Sequence, residues 1–147
     1  MTPLEQRTAA TLVVSGAIFF WFQQRMLEGW AVANLTPAAL AGVYLSVLLF
    51  TTLAYGAIAA IAALRTRGVA RDERDALMEG KAARNELFMI AALINVALFQ
   101  AIAHAFLPAF APFFDLGHLP SLVFVLFTTL WLGEFVRLGS IRLYSRA

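Results

Sequence analysis

Apolar positions come in four long runs along the chain, and the polar positions between them are bunched rather than periodic. The first run starts at Thr8, stays apolar to Phe22 and closes on Gln23, Gln24 and Arg25. The others fill 37–64, 87–107 and 120–138. About 20 apolar residues suffice to cross a bilayer as a helix, the form that satisfies every backbone group without water. The pattern therefore predicts four spans, at 8–28, 37–64, 87–107 and 120–138. A charged segment, 65–86, separates the first pair from the second.

Start and stop signals sharpen these boundaries. Thr2-Pro3-Leu4-Glu5 reads as a capping box with proline at the first helical position, and Thr36-Pro37 repeats the signal for the second helix. No cleavable signal peptide is apparent, so an uncleaved anchor is expected. The second run, about 29 residues, exceeds the ~20 that cross, so that helix must tilt or project. On it Gly56, Ala60 and Ala63, spaced by four and three, offer a smooth side for helix contact, or else are simple filler. Gly68 ends the helix. Asp72 caps the third, with Asp75 at N3, and nothing but a weak point at Gly80 interrupts that helix before Pro108. Its first 14 or so residues are charged and would extend about 20 Å beyond a membrane at ~1.5 Å per residue. Between Met26 and Leu35 lies a short turn with Glu28, Gly29 and an interface-type Trp30. The linker from Pro108 to Pro120 is too apolar to hang in water and should lie at the interface.

Composition agrees with the pattern. Hydrophobic residues make up 61% of the 147 positions and charged residues 14%, against about 45–50% and about 25% in a soluble domain. The expected fold class is all-α: an integral membrane four-helix bundle of two helical hairpins, one transmembrane domain over 1–147. Cysteine is absent, which removes disulfides, thiolate nucleophiles and cysteine-ligated iron–sulfur clusters from the function classes.

Placement of Lys and Arg predicts orientation. Arg7, then Arg65, Arg67, Arg71, Arg74, Lys81 and Arg84, and finally Arg137, Arg142 and Arg146 share one side of the predicted topology; Arg25 lies on the other. By the positive-inside rule both termini and the central segment are cytoplasmic, as in a multi-pass protein of a bacterial inner membrane.

Polar residues within spans are where a membrane protein shows its chemistry, since each costs free energy without a partner or a wet cavity. Gln100 and His104 share a face of helix three with Ala97, Ala101 and Ala105 and should look inward. Gln23, Gln24, Arg25, Asp115 and His118, with Glu28, fall near the same depth, which suggests a polar cluster at the outer mouth. Two roles stay open for it: a proton or ligand site with His104 titrating, or interhelical hydrogen bonds with Arg25 reaching the headgroups. The spacing of these ligand types is not diagnostic of a metal. Asn95, on the opposite face, is expected to bond a neighbouring helix. Glu134 sits one turn before Arg137 in the last span. It is expected to form a cytoplasmic ion pair, with Arg137 or with Arg84 or Arg7.

On the charged start of helix three, Asp72, Asp75, Glu79 and Glu86 form one acidic stripe and Arg74, Lys81 and Arg84 take the other side. The stripe is a candidate docking surface: one face of this segment could meet the basic tail or the anionic lipid surface, and the other a partner. The small positive excess and the lack of a reading element speak against nucleic acid.

Asp72-Glu73-Arg74-Asp75, Gly133-Glu134-Phe135-Val136-Arg137 and the tail Ile141-Arg142-Leu143-Tyr144-Ser145-Arg146 together resemble a group of small bacterial four-span membrane proteins of unknown function. The similarity covers mainly 70–147. It implies a fold and topology but no activity. With no nucleophile constellation or nucleotide loop, an enzyme is not expected. An accessory or structural subunit of a membrane complex, or a self-associating protein, is the leading class, with lipids and other subunits or copies as partners. A small oligomeric transporter or channel is the alternative. A protein binding pigment, quinone or lipid is a third, in which the aromatic residues line the site and no other cofactor is implied.

Overall fold

The computed structural model describes residues 3–29, 31–65, 73–107 and 113–145. Four helices account for 87% of them: α1 Pro3–Met26, α2 Pro37–Arg65, α3 Glu73–Phe106 and α4 Leu119–Tyr144. Between α1 and α2 the chain makes a two-residue antiparallel pair, Leu27–Glu28 (β1) with Ala31–Val32 (β2), in the register Leu27 with Val32. The turn uses Gly29 at φ 65°, a left-handed conformation that favours glycine.

Local signals explain most boundaries. Thr36 caps α2, its Oγ1 accepting the Ala39 N–H at 3.3 Å. Helix α3 runs unbroken through Gly80 for 34 residues. Helix α4 opens at Leu119-Pro120 and continues to Tyr144, beyond the predicted span end at 138. The reason is burial: Leu138, Ser140 and Ile141 are covered, and α3 packs on α4. Thr2, Gly68, Asp72 and Trp30, on which other boundary expectations rested, lie outside the described residues.

The helices lie in the order α2, α1, α4, α3. Helix α1 packs on both α2 and α4, while α3 packs on α4 and is at most marginally in contact with the rest. Both expected hairpins are present, α1 with α2 and α3 with α4, but they form an open row rather than a closed bundle. Neighbours are antiparallel: Ser15 meets Tyr55 while Trp21 meets Phe50, Phe22 meets Phe124 while Phe19 meets Phe135, and Glu86 meets Arg137 while Ile90 meets Gly133. We call the end where α1 begins and α4 finishes the terminal end, and the opposite one the linker end.

Helices α2, α3 and α4 are long and apolar enough to cross a membrane. In the most apolar 18-residue window of α2 only 6% of residues are buried, and in that of α3 none are. In water such surfaces would be an aggregation hazard; against lipid they are matched. Helix α1 is not among the three. Its apolar stretch is bounded by Arg7 and by Gln23, Gln24 and Arg25, and is interrupted by Thr8, Thr11 and Ser15.

Those interruptions decide how α1 is used. Its buried positions are Thr8, Thr11, Ser15, Ile18, Phe22 and Met26, spaced by three or four and so on one face. The exposed face carries Ala10, Val13, Ala17 and Phe20. A soluble helix buries its apolar stripe; α1 buries its hydroxyls in its terminal half and shows apolar side chains outward. Toward the linker end the core turns apolar, with Ile18, Phe22, Met26, Leu40, Val47, Phe124 and Trp131 in one cluster.

Candidate functional site: an ionic network shared by four helices

Helix α4 brings Glu134 and Arg137 onto one face, since residues three apart on a helix are neighbours. The guanidinium grips the carboxylate side-on: Arg137 Nε donates to Glu134 Oε2 at 2.8 Å and Nη2 to Oε1 at 2.6 Å. This two-point geometry is the strongest an arginine makes with a carboxylate. The expected ion pair is therefore present, but its third member is not Arg84. From α3, Glu86 Oε2 approaches Arg137 Nε at 3.4 Å, so one guanidinium serves two carboxylates.

The network continues inward. Tyr55, projecting from α2, donates its hydroxyl to Glu134 Oε1 at 3.5 Å. Its oxygen also lies 2.5 Å from Ser15 Oγ of α1, which is fully buried. With Tyr55 donating to the carboxylate, Ser15 donates to Tyr55, and every helix contributes at least one member. One turn before Tyr55, Thr51 Oγ1 is, among the described residues, the buried side-chain polar atom without a hydrogen-bond partner.

Two features let α3 come close enough. Gly133 faces α3, and a Cβ there would meet Ile90 Cγ1 at 2.6 Å and Glu86 Cγ at 3.4 Å. A side chain at Gly133 would push α3 away. Nearer the terminal end, Asn85 Nδ2 donates to Ser140 Oγ and to Tyr144 Oη, both at 3.0 Å, with Met78 and Ala82 buried on the same side of α3.

That packing changes the acidic stripe. Glu86 turns into the network and Asp75 and Glu79 are partly buried, on the face of α3 that carries Met78 and Ala82. Of the expected docking stripe, Glu86 is thus engaged within the chain, and Asp72 lies outside the described residues. Arg84 and Lys81 are exposed. The smooth side of α2 is likewise unused within the chain: Gly56, Ala60 and Ala63 are exposed, and the close helix approach is made by Gly133.

At the linker end, the side chains of Gln23, Gln100, Asp115 and His118 each bond partners outside the expected cluster. Gln23 Nε2 reaches Thr128 Oγ1 at 3.5 Å, Arg25 lies over the Trp21 ring at 5.6 Å, and Gln24 is exposed. Gln100 Oε1 accepts the Phe113 N–H at 2.9 Å, and Asp115 Oδ1 accepts that of Gly117 at 2.9 Å. His118 ties the two linkers together, 3.3 Å from Asn34 Oδ1 and 3.3 Å from Ser121 Oγ. His104 lies on the exposed face of α3. Asn95 bonds Ala91 O of its own helix at 2.8 Å rather than a neighbour. Among the described residues no group of three or more His, Cys, Asp or Glu could hold a metal.

Ser15 and Tyr55 are the members that the sequence left unnoticed. A signal existed for Ser15, which continues Thr8 and Thr11 at helical spacing. Tyr55 carries none beyond being a polar residue within a span.

No family model matches this chain, and no curated protein or solved structure matches it. The chemistry of the network therefore has to be read from its own geometry. It pairs one guanidinium with two carboxylates and joins four helices.

Proposed function

We propose that this is a multi-pass membrane protein that works by association, as an accessory or structural subunit of a membrane complex or as a self-associating unit. All four helices cross, and both termini lie on the cytoplasmic side of a bacterial inner membrane. The observation that carries this reading is the inside-out distribution of polarity: hydroxyls and ions are shared between helices, while α2 and α3 present apolar faces along the edges of the row. The inverted face of α1 supports its crossing, because the groups that lower its hydropathy are covered by α2 and α4. Ten of the eleven basic residues fall at the terminal end and in the segment between α2 and α3, which supports the orientation.

The test is purification from the native membrane in a bilayer-preserving polymer. A stoichiometric larger partner, or a homo-oligomer cross-linked through α2 or α3, is expected; a monomer that binds nothing would sink the reading. Orientation is tested by Leu77→Cys in this cysteine-free chain. Leu77 is exposed and should react only from the cytoplasmic side.

One observation favours a transporter as the second reading. Two carboxylates share a single guanidinium, and the chain Tyr55–Ser15 with the unsatisfied Thr51 leads away from them into the span. Proton-coupled flux in proteoliposomes that is unchanged by Glu134→Gln would remove it.

A further inference from the structure

Helices α1 and α2 diverge at the terminal end and leave a groove of about 300 Å³. Its lining is apolar at Ala10, Ile58 and Ile61 and polar at Gln6, Arg7 and Arg65. The two arginines stand on opposite walls. Arg7 immediately precedes the apolar stretch of α1, and Arg65 is the last residue of α2, after its apolar run. Antiparallel packing puts both at one depth, the level at which a bilayer changes from acyl chains to headgroups. Both are exposed, and among the described residues neither has an acidic partner and no acidic side chain lines the groove.

We propose that this groove holds an anionic phospholipid, its phosphate between the guanidiniums of Arg7 and Arg65 and an acyl chain along Ile58 and Ile61. Arginine suits the first part because its planar donors match phosphate oxygens. A basic pocket between helices on the cytoplasmic side is the setting in which anionic headgroups are bound. The apolar lining suits the second part, and a free anion would leave it uncovered. Charge and depth together select a lipid of the surrounding leaflet.

The test uses the full chain in mild detergent, with bound lipids counted by native mass spectrometry during titration with phosphatidylglycerol or with phosphatidylcholine. One phosphatidylglycerol per chain is expected, preferred on the order of 25-fold, about fivefold for each arginine near the headgroup plane. Arg7→Gln with Arg65→Gln should abolish the preference, while Arg7→Lys with Arg65→Lys should keep most of it. Arg84→Gln, removing an exposed arginine of α3, should change nothing. Circular dichroism confirms folding of each variant, and Arg65→Gln alone, at the exposed helix end, carries the test if the double variant does not fold. Equal retention of the two lipids overturns the proposal, as does a loss in Arg84→Gln equal to that of the groove variants. Displacement by millimolar inorganic phosphate also overturns it, since the site would then take a free anion.

Discussion

The two ends of the helix row are held by different forces. At the linker end the contacts are aromatic: Phe22 stacks on Phe127 and Phe124 with centroids 5.3 and 6.1 Å apart, Tyr44 meets Phe127 edge-on at 5.7 Å, and Phe114 closes on Phe124 at 5.5 Å. Toward the terminal end the contacts are polar and run through Ser15, Tyr55, Glu134, Arg137 and Glu86. Both give close packing, but they differ in tolerance. Ring contacts are worth about 0.5–1.5 kcal/mol each beyond area burial and degrade gradually. A partly buried ion pair adds little stability over an apolar replacement, yet removing one partner is costly because the other charge is stranded. The polar half fixes which helices meet and in what register; the aromatic half fills the space between them.

The sharpest way to break this contrast is Arg137→Met, which strands both Glu134 and Glu86. A loss of about 2–4 kcal/mol is expected, below the full cost of a deeply buried pair because a third of the Arg137 side chain is exposed. Thermal unfolding in detergent measures it, and adding Glu134→Gln should recover part of the loss. A Phe124→Leu variant at the other end should cost less than Arg137→Met; the reverse ranking would end the distinction between the halves.

Gly133→Ala comes next, at about 1–3 kcal/mol for overpacking against Ile90. Ile90→Ala in the same chain should relieve it, and a double-mutant cycle with no coupling would show that α3 does not approach α4 through Gly133. Tyr55→Phe should cost about 1 kcal/mol by leaving the Ser15 hydroxyl buried without its partner. Introducing Ser15→Ala into that variant should then be nearly neutral, whereas additive losses would break the link between α1 and α2. Gly56→Leu is the smallest expected effect: no atom lies within 4 Å of a Cβ there, so thermal stability of the isolated chain should stay within ~0.5 kcal/mol. A change in oligomeric state with that variant would identify the α2 face as the surface of association.

Hydrophobic patterning determined the helices, their approximate boundaries and the pairing into hairpins, because the requirement to satisfy backbone groups in lipid leaves few alternatives to continuous helix. It also found the Glu134–Arg137 pair, which local spacing on one helix dictates. Which face each helix turns to a neighbour could not follow from pattern alone, since in α2 and α3 nearly every face is apolar. Glu86 was legible as one acid in a stripe, yet the approach of α3 allowed by Gly133 assigns it to Arg137 instead of to solvent. Asn95 is the opposite case, since its bond to Ala91 O of its own helix is available in any packing. Sequence by itself determined that these residues form long apolar helices with a charged segment between the pairs. Only the tertiary structure decided that the hydroxyls of α1 face inward, that one serine and one tyrosine complete the ionic network, and that the row stays open. The physical reason is that partners in this network lie on four different helices, and distance along the chain carries no information about which of them meet.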